Sequence, residues 1–159
     1  MTVIEPTDST VMKCMVKLAA ETYGNFYLRL VRRSAVKVYE EGSVFEIGKA
    51  VPIRDGKDVT LIAMGLCVAE SIKAAKLLEE KGISARVIDM LTIKPLDEQA
   101  IVEAARDTGA IVTAENHYTE TGLGAAVSEA VVQNYPVPVV LRRYDRPGVA
   151  RRFNNRLLI

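Results

Sequence analysis

One histidine, His117, and two cysteines, Cys14 and Cys67, are all that the 159-residue sequence holds of the usual soft metal ligands. They are scattered, and a standard zinc site needs four such ligands at close spacing, so no zinc site is expected. Each cysteine sits in an otherwise apolar stretch, which predicts reduced thiols packed in a core rather than a disulfide framework. An excess of charge of one sign is also lacking. Twenty-one Lys and Arg against 20 Asp and Glu leave a formal net charge of +1. Whole-chain electrostatics therefore point to neither a nucleic acid nor an anionic membrane as partner. There is no run of about 18 apolar residues to span a bilayer. The opening Met1-Thr2-Val3-Ile4-Glu5-Pro6 has no basic region followed by an apolar stretch, so no secretory leader is expected and the expected location is cytoplasmic. Internal repeats and low-complexity segments are absent too.

What is present is apolar periodicity, with 49% hydrophobic residues. Thr2-Val3-Ile4 reads as a short strand stopped by Pro6. Asp8, Ser9 or Thr10 can cap the helix that follows, with Val11, Met15 and Leu18 on its apolar stripe. Gly24-Asn25 breaks that helix, and residues 26–30 read as a strand. Residues 33–44 form a polar connection without a clear period. The domain boundary is placed there, giving a segment 1–44 and an α/β domain over 45–159.

Within the second region, Val59 to Met64 is a nearly continuous apolar strand, as in a sheet covered on both faces. The following helix turns Val68, Ile72, Ala75 and Leu78 inward and stops at Lys81-Gly82. Residues 85–90 are the next strand. Pro95 and Asp97 open a helix that ends near Gly109. Residues 110–114 form a strand, Gly122-Leu123-Gly124 leads into a helix to about Asn134, and residues 137–141 form the last strand. Strands alternating with helices predict a three-layer α/β domain with a mostly parallel sheet. Residues 45–53 are expected to add an antiparallel edge strand, since Gly48 and Pro52 suit an edge. The first strand and helix have no evident sheet partner. Arg156 to Ile159 reads as the opening of another helix. Both ends are therefore expected to be cut from something larger.

Specific stretches then carry a resemblance. Val3-Ile4-Glu5-Pro6-Thr7-Asp8 and Tyr27-Leu28-Arg29-Leu30-Val31-Arg32 resemble the end of the pyrimidine-binding domain of transketolases. Residues 89–97, Asp-Met-Leu-Thr-Ile-Lys-Pro-Leu-Asp, are similar to that family's C-terminal domain. So are Ile111 to His117 and Thr121 to Val127. Order and spacing agree over nearly the whole chain, and the likeness is nearest to the small C-terminal subunit of two-chain transketolases. Sister families share the C-terminal domain, so the C-terminal part of a 1-deoxyxylulose-5-phosphate synthase or of a 2-oxoacid dehydrogenase beta subunit is one alternative, and a non-catalytic interaction or regulatory module is another.

The resemblance implies a thiamine-diphosphate-dependent enzyme that moves two-carbon ketol units between sugar phosphates. It also implies that the domain holding the diphosphate and its magnesium ion, and the glutamate that activates the cofactor, lie in an N-terminal half outside this chain. No catalytic, cofactor-binding or metal-binding residue is assigned here. The chain is expected to need that half as a subunit or domain, and to form a homodimer. A second argument for the dimer is that Val3, Ile4, Val11, Met12, Met15, Phe26 and Leu28 are not expected to find a core locally.

Arg32 is the leading site residue. The resemblance places it at an arginine that binds the substrate phosphate, and a guanidinium suits a phosphate by bidentate, permanently charged hydrogen bonding. His117 and Glu115 share a loop just past a strand end. Acid–base work is imaginable for His117, a loop or interface contact is its preferred reading, and Glu115 and His117 are both taken as interface or site-lining residues. Gly122-Leu123-Gly124 lacks the third glycine of a dinucleotide fingerprint, so close approach of a helix to the sheet is preferred. Gly65 with Asp89 imitates a nicotinamide-binding unit only faintly. Arg142, Arg143, Arg146, Arg151, Arg152 and Arg156 make a basic end, read as contacts to a missing chain or twin subunit rather than to an anion.

Overall fold

The computed structural model describes residues 1–32 and 34–143. In chain order the elements are β1 (Thr2–Ile4), α1 (Ser9–Glu21), β2 (Phe26–Leu28), β3 (Val51–Arg54), β4 (Val59–Ala63), α2 (Cys67–Glu79), β5 (Ala85–Asp89), β6 (Thr92–Lys94), α3 (Glu98–Thr108), β7 (Ile111–Glu115), α4 (Leu123–Asn134) and β8 (Val139–Arg143). The expected mixed α/β fold is what forms. Its larger sheet has the order β3-β5-β4-β7-β8. β4 is central and runs parallel to β5 and β7, and β8 extends the parallel set. β3 closes the other edge antiparallel to β5.

The unbroken apolarity of β4 has its cause in two covered faces. Leu61 packs with Ala75 and Val87, and Ala63 with Val68, on the side of α2. Ile62 and Met64 point the other way, into a cluster with Ile101 and Ala104 of α3 and Leu123 and Val127 of α4. Ile62 is wholly buried, which stabilises by roughly 1.5–3 kcal/mol relative to exposure. Helix ends follow the local chemistry. Asp97 caps α3 by accepting from the Ala100 N–H at 3.2 Å. Gly109, at φ 66°, ends it in the left-handed region that a residue with a Cβ avoids.

Two expectations need correction. The edge strand begins only at Val51, because Phe45 is buried elsewhere, in a cluster with Ile4, Val11, Met15 and Leu91. The first strand, moreover, has sheet partners. β1 is the middle of a three-stranded sheet, parallel to β2 and antiparallel to β6. β6 is only three residues long, too short for an alternation to register. Ile4, Val11 and Met15 are thus fully buried, with Phe26 and Leu28 packed against them. Phe45 and Leu91 supply the core that these side chains were not expected to find, and of that set Met12 is the one left exposed.

Among the described residues no helix is long and apolar enough to cross a membrane. The helix expected at 156–159, and Arg146, Arg151, Arg152 and Arg156, lie outside the described residues.

Candidate functional site

The carboxyl ends of β1, β2, β4 and β7 meet through Glu5, Arg29, Gly65 and Asn116. Glu5 directly follows β1 and is almost wholly buried. Its Oε1 accepts from Arg29 Nη1 at 2.7 Å. The same nitrogen donates to Asn116 Oδ1, and Arg29 Nη2 donates to the Asn116 carbonyl at 3.2 Å. One guanidinium therefore joins the ends of β1 and β2 to the loop after β7. Burial pushes the Glu5 carboxyl up from its ordinary value, with Arg29 and His117 pulling the other way. Gly65 makes room for this carboxylate. A Cβ there would lie 2.3 Å from Glu5 Oε1, and the φ of +55° disfavours a side chain as well.

Glu115 ends β7 and is fully buried. Its two oxygens accept from the Leu123 N–H at 2.9 Å and the Gly124 N–H at 2.8 Å. A carboxylate at a helix N-terminus satisfies donors that the helix itself leaves unpaired and complements its dipole. The two glycines permit this close fit, as expected from the G-x-G pattern. A Cβ on Gly122 would fall 1.7 Å from Glu115 Oε2, and one on Gly124 2.3 Å from Leu141 Cδ2. Gly122→Ala is therefore expected to cost on the order of 1–3 kcal/mol by overpacking. The midpoint of urea unfolding reads this, and an unchanged midpoint would refute the packing account.

A second buried polar group ties residues 7–39 to the sheet. Asp8 Oδ1 accepts from the Thr10 and Val11 N–H groups at 2.9 and 3.0 Å. Its Oδ2 accepts from Val38 and Tyr39 at 2.8 and 2.9 Å. Burial alone pushes this carboxyl up, but the four backbone donors outweigh it and the net shift is downward. Asp89, at the end of β5, is fully buried. Its Oδ2 accepts from the hydroxyls of Thr7 and Tyr39, the latter at 2.7 Å. Burial drives it up to about 7, against those two hydrogen bonds. Tyr39 is raised by burial and by the facing Asp89. Cys67, near Glu5 and Glu115, is pushed up to about 12 mainly by burial, so its thiol stays protonated and inert at neutral pH.

The anticipated site residues fall as follows. Arg32 is exposed, three residues beyond the Arg29 clasp. His117 follows Asn116, is partly exposed, and its ring meets that of Tyr118 edge-on at 5.8 Å. Glu115 is a structural anchor that faces away from solvent. The Arg143 guanidinium sits 4.5 Å over the Tyr118 ring, which ties the basic end of β8 to the same loop. Asp89 is sealed in by Thr7 and Tyr39, so it does not present the open carboxylate that a nicotinamide ribose would need. Glu5, Arg29 and Asn116 were not anticipated as a unit. Arg29 and Asn116 are 87 positions apart, and nothing in local periodicity joins them.

Among the described residues no three His, Cys, Asp or Glu side chains gather in a way that could hold a metal ion. Asp8 and Glu115 spend both oxygens on backbone donors, and Glu5 faces Arg29. These side chains do not fit a magnesium–diphosphate group.

The family model described as "Transketolase, C-terminal domain" matches residues 48–145. The chain belongs to the transketolase C-terminal domain family. Transketolase-family subunits are also similar over most of it. The "6-deoxy-6-sulfo-D-fructose transketolase subunit SqwH" of Clostridium sp. (strain MSTE9) is 44% identical over 139 residues, 87% of this chain and 43% of that protein. An apulose-4-phosphate transketolase subunit of Phocaeicola vulgatus is 43% identical over 140 residues, 87% of this chain and 45% of that one. A solved structure described as "Split gene transketolase, inactive beta4 tetramer" superposes with a TM-score of 0.87 at 45% identity. It covers 89% of this chain and 47% of that chain. The chain thus spans less than half the length of these transketolase relatives.

Proposed function

We propose that this chain is the C-terminal part of a thiamine-diphosphate-dependent, transketolase-like enzyme, which moves two-carbon ketol units between sugar phosphates. The observation that carries this reading is similarity across 87% of the chain to proteins named as transketolase subunits. On this reading an N-terminal subunit or domain holds the cofactor and magnesium, and the cofactor supplies the carbon–carbon bond chemistry. The residues of this chain do the binding and positioning. Arg32 contacts the substrate phosphate at the rim, Glu5, Arg29 and Asn116 hold the loops together, and Glu115 anchors α4 beneath them. None of them moves a proton in the reaction.

The same reading gives the chain a role in dimer assembly and a cytoplasmic location. Met12, Val16, Tyr23, Tyr27 and Leu30, on α1, on β2 and beside them, are exposed, and exposed apolar surface recruits partners where it is contiguous. The relative described as an inactive beta4 tetramer offers a parallel, self-association without activity in that protein.

The test is co-purification with a cofactor-binding half, followed by a ketol-transfer assay and light scattering. The complex should transfer two-carbon units. The chain by itself should be inactive, oligomeric, and without micromolar affinity for the cofactor, which would correspond to about −8 kcal/mol. Transfer by the isolated chain, or an inactive complex with the cofactor bound, would overturn the assignment.

A further inference from the structure

Arg29, just past β2, bonds both to Glu5 after β1 and to Asn116 after β7. Its backbone N–H donates to the Ile4 carbonyl at 2.8 Å, one residue past the end of β2. Its side chain is 28% exposed, while that of its partner Glu5 is 4% exposed. Glu5 is fixed in turn, because its own N–H donates to the Leu91 carbonyl at 3.1 Å and its carboxylate fills the space beside Gly65. Beyond Arg29 the hold on the chain weakens. Leu30, Val31 and Arg32 make no hydrogen bond to another described residue, and Leu30 and Arg32 are exposed. The guanidinium of Arg29 is therefore the nearest fixed point to Arg32 on its N-terminal side. On its other side it grips Asn116 by both side chain and backbone, and Asn116 is covalently followed by His117.

We propose that Arg29 is a positioning residue. Clasped by Glu5 and Asn116, it sets the direction in which the chain presents Arg32 and holds the Asn116–His117 loop against that strand end, so that the phosphate end of the sugar phosphate meets one preformed rim. This inference rests on the reading that Arg32 binds the substrate phosphate. A planar fork with several donors is needed for the task, since three acceptors on two loops must be met at fixed angles. A lysine ammonium keeps the charge and loses the fork. A binding group misplaced by about an ångström weakens binding of the group it reads, here the phosphate, and leaves phosphate-free substrate alone.

The experiment compares kinetics of the assembled enzyme with an aldose phosphate and with the same aldose lacking phosphate. The variants are Arg32→Ala, Arg29→Lys, Asn116→Ala and Asn116→Asp, with thermal unfolding recorded for each. Arg29→Lys and Asn116→Ala are expected to raise the KM for the phosphorylated acceptor about tenfold, with kcat within about twofold. The KM for the phosphate-free acceptor should not move. Asn116→Asp keeps an acceptor for Arg29 Nη1 and should restore most of the affinity. The double variant Arg29→Lys/Arg32→Ala should be little worse than Arg32→Ala, because both act on one contact. If Arg32→Ala is phosphate-selective while Arg29→Lys and Asn116→Ala are silent, or harm both acceptors alike, the positioning role is refuted and the phosphate reading survives. If Arg32→Ala shows no selectivity, both fall together.

Discussion

Replacing Arg32 by alanine in the assembled enzyme is expected to raise the KM for phosphorylated sugars by roughly one to two orders of magnitude. A lost charge-assisted hydrogen bond to phosphate costs on the order of 1.5–3 kcal/mol. The loss should fall on phosphorylated substrates, because the guanidinium has no other group to read at that end. It should also be a binding effect. A contact made equally in the ground and transition states changes KM and leaves kcat. The exposure of Arg32 supports a clean experiment, since removing an exposed side chain that has no hydrogen-bond partner among the described residues should leave stability unchanged. Steady-state kinetics on matched phosphorylated and unphosphorylated acceptors decide the matter, and equal losses on both would mean that Arg32 does not read the phosphate.

The second large effect concerns stability. Asp89 is held near pH 7 by burial in the native chain, against about 3.9 in an unfolded one. Between these values the folded state keeps a proton that the unfolded state has released. Stability from this group is therefore greatest below about pH 4, falls as pH rises through the folded value, and levels off above it. The change is about 4 kcal/mol over that window. Glu5, also raised by burial, adds a slope of the same sign. Asp8 has the opposite sign. Its lowered value contributes stability above the unfolded pKa that is lost on acidification through the folded one.

Asp89→Asn should remove the larger slope. The amide oxygen still accepts from Thr7 and Tyr39, while the charge that burial penalises is gone. Urea titrations at pH 5 and pH 8 should show wild type losing stability between the two and the variant losing far less. An identical difference in both proteins would mean that Asp89 ionises as an ordinary carboxylate.

Much of this fold was legible because local signals agreed with one another. α3 is the clearest case: Pro95 and Asp97 mark its start and Gly109 its end. The apolar run in β4 announced a strand covered on both faces. The short ladder between β1 and β6 was not legible. Three-residue strands carry too little alternation, and the partner of Val3 lies some 90 positions away, at Lys94. The candidate site divides along the same line. Glu115 and Arg32 stood out within the family-like stretches, and the glycines near Glu115 told correctly of close packing. That Glu115 props a helix, and that Arg29 rather than His117 organises the loop, depends on side chains meeting groups distant in sequence. Only the folded chain holds that information.

The β1–β6 pairing bears on how such an enzyme can be divided. β6 lies within the span of the C-terminal domain model, yet it completes a sheet whose other two strands precede that span. Phe45 and Leu91 close the core around α1 in the same way. Residues on both sides of the polar connection at 33–44 are therefore joined in one sheet and one core. A chain cut inside that connection would expose the hydrogen-bonding edge of β6 on one fragment and strand Ile4, Val11 and Met15 without a core on the other.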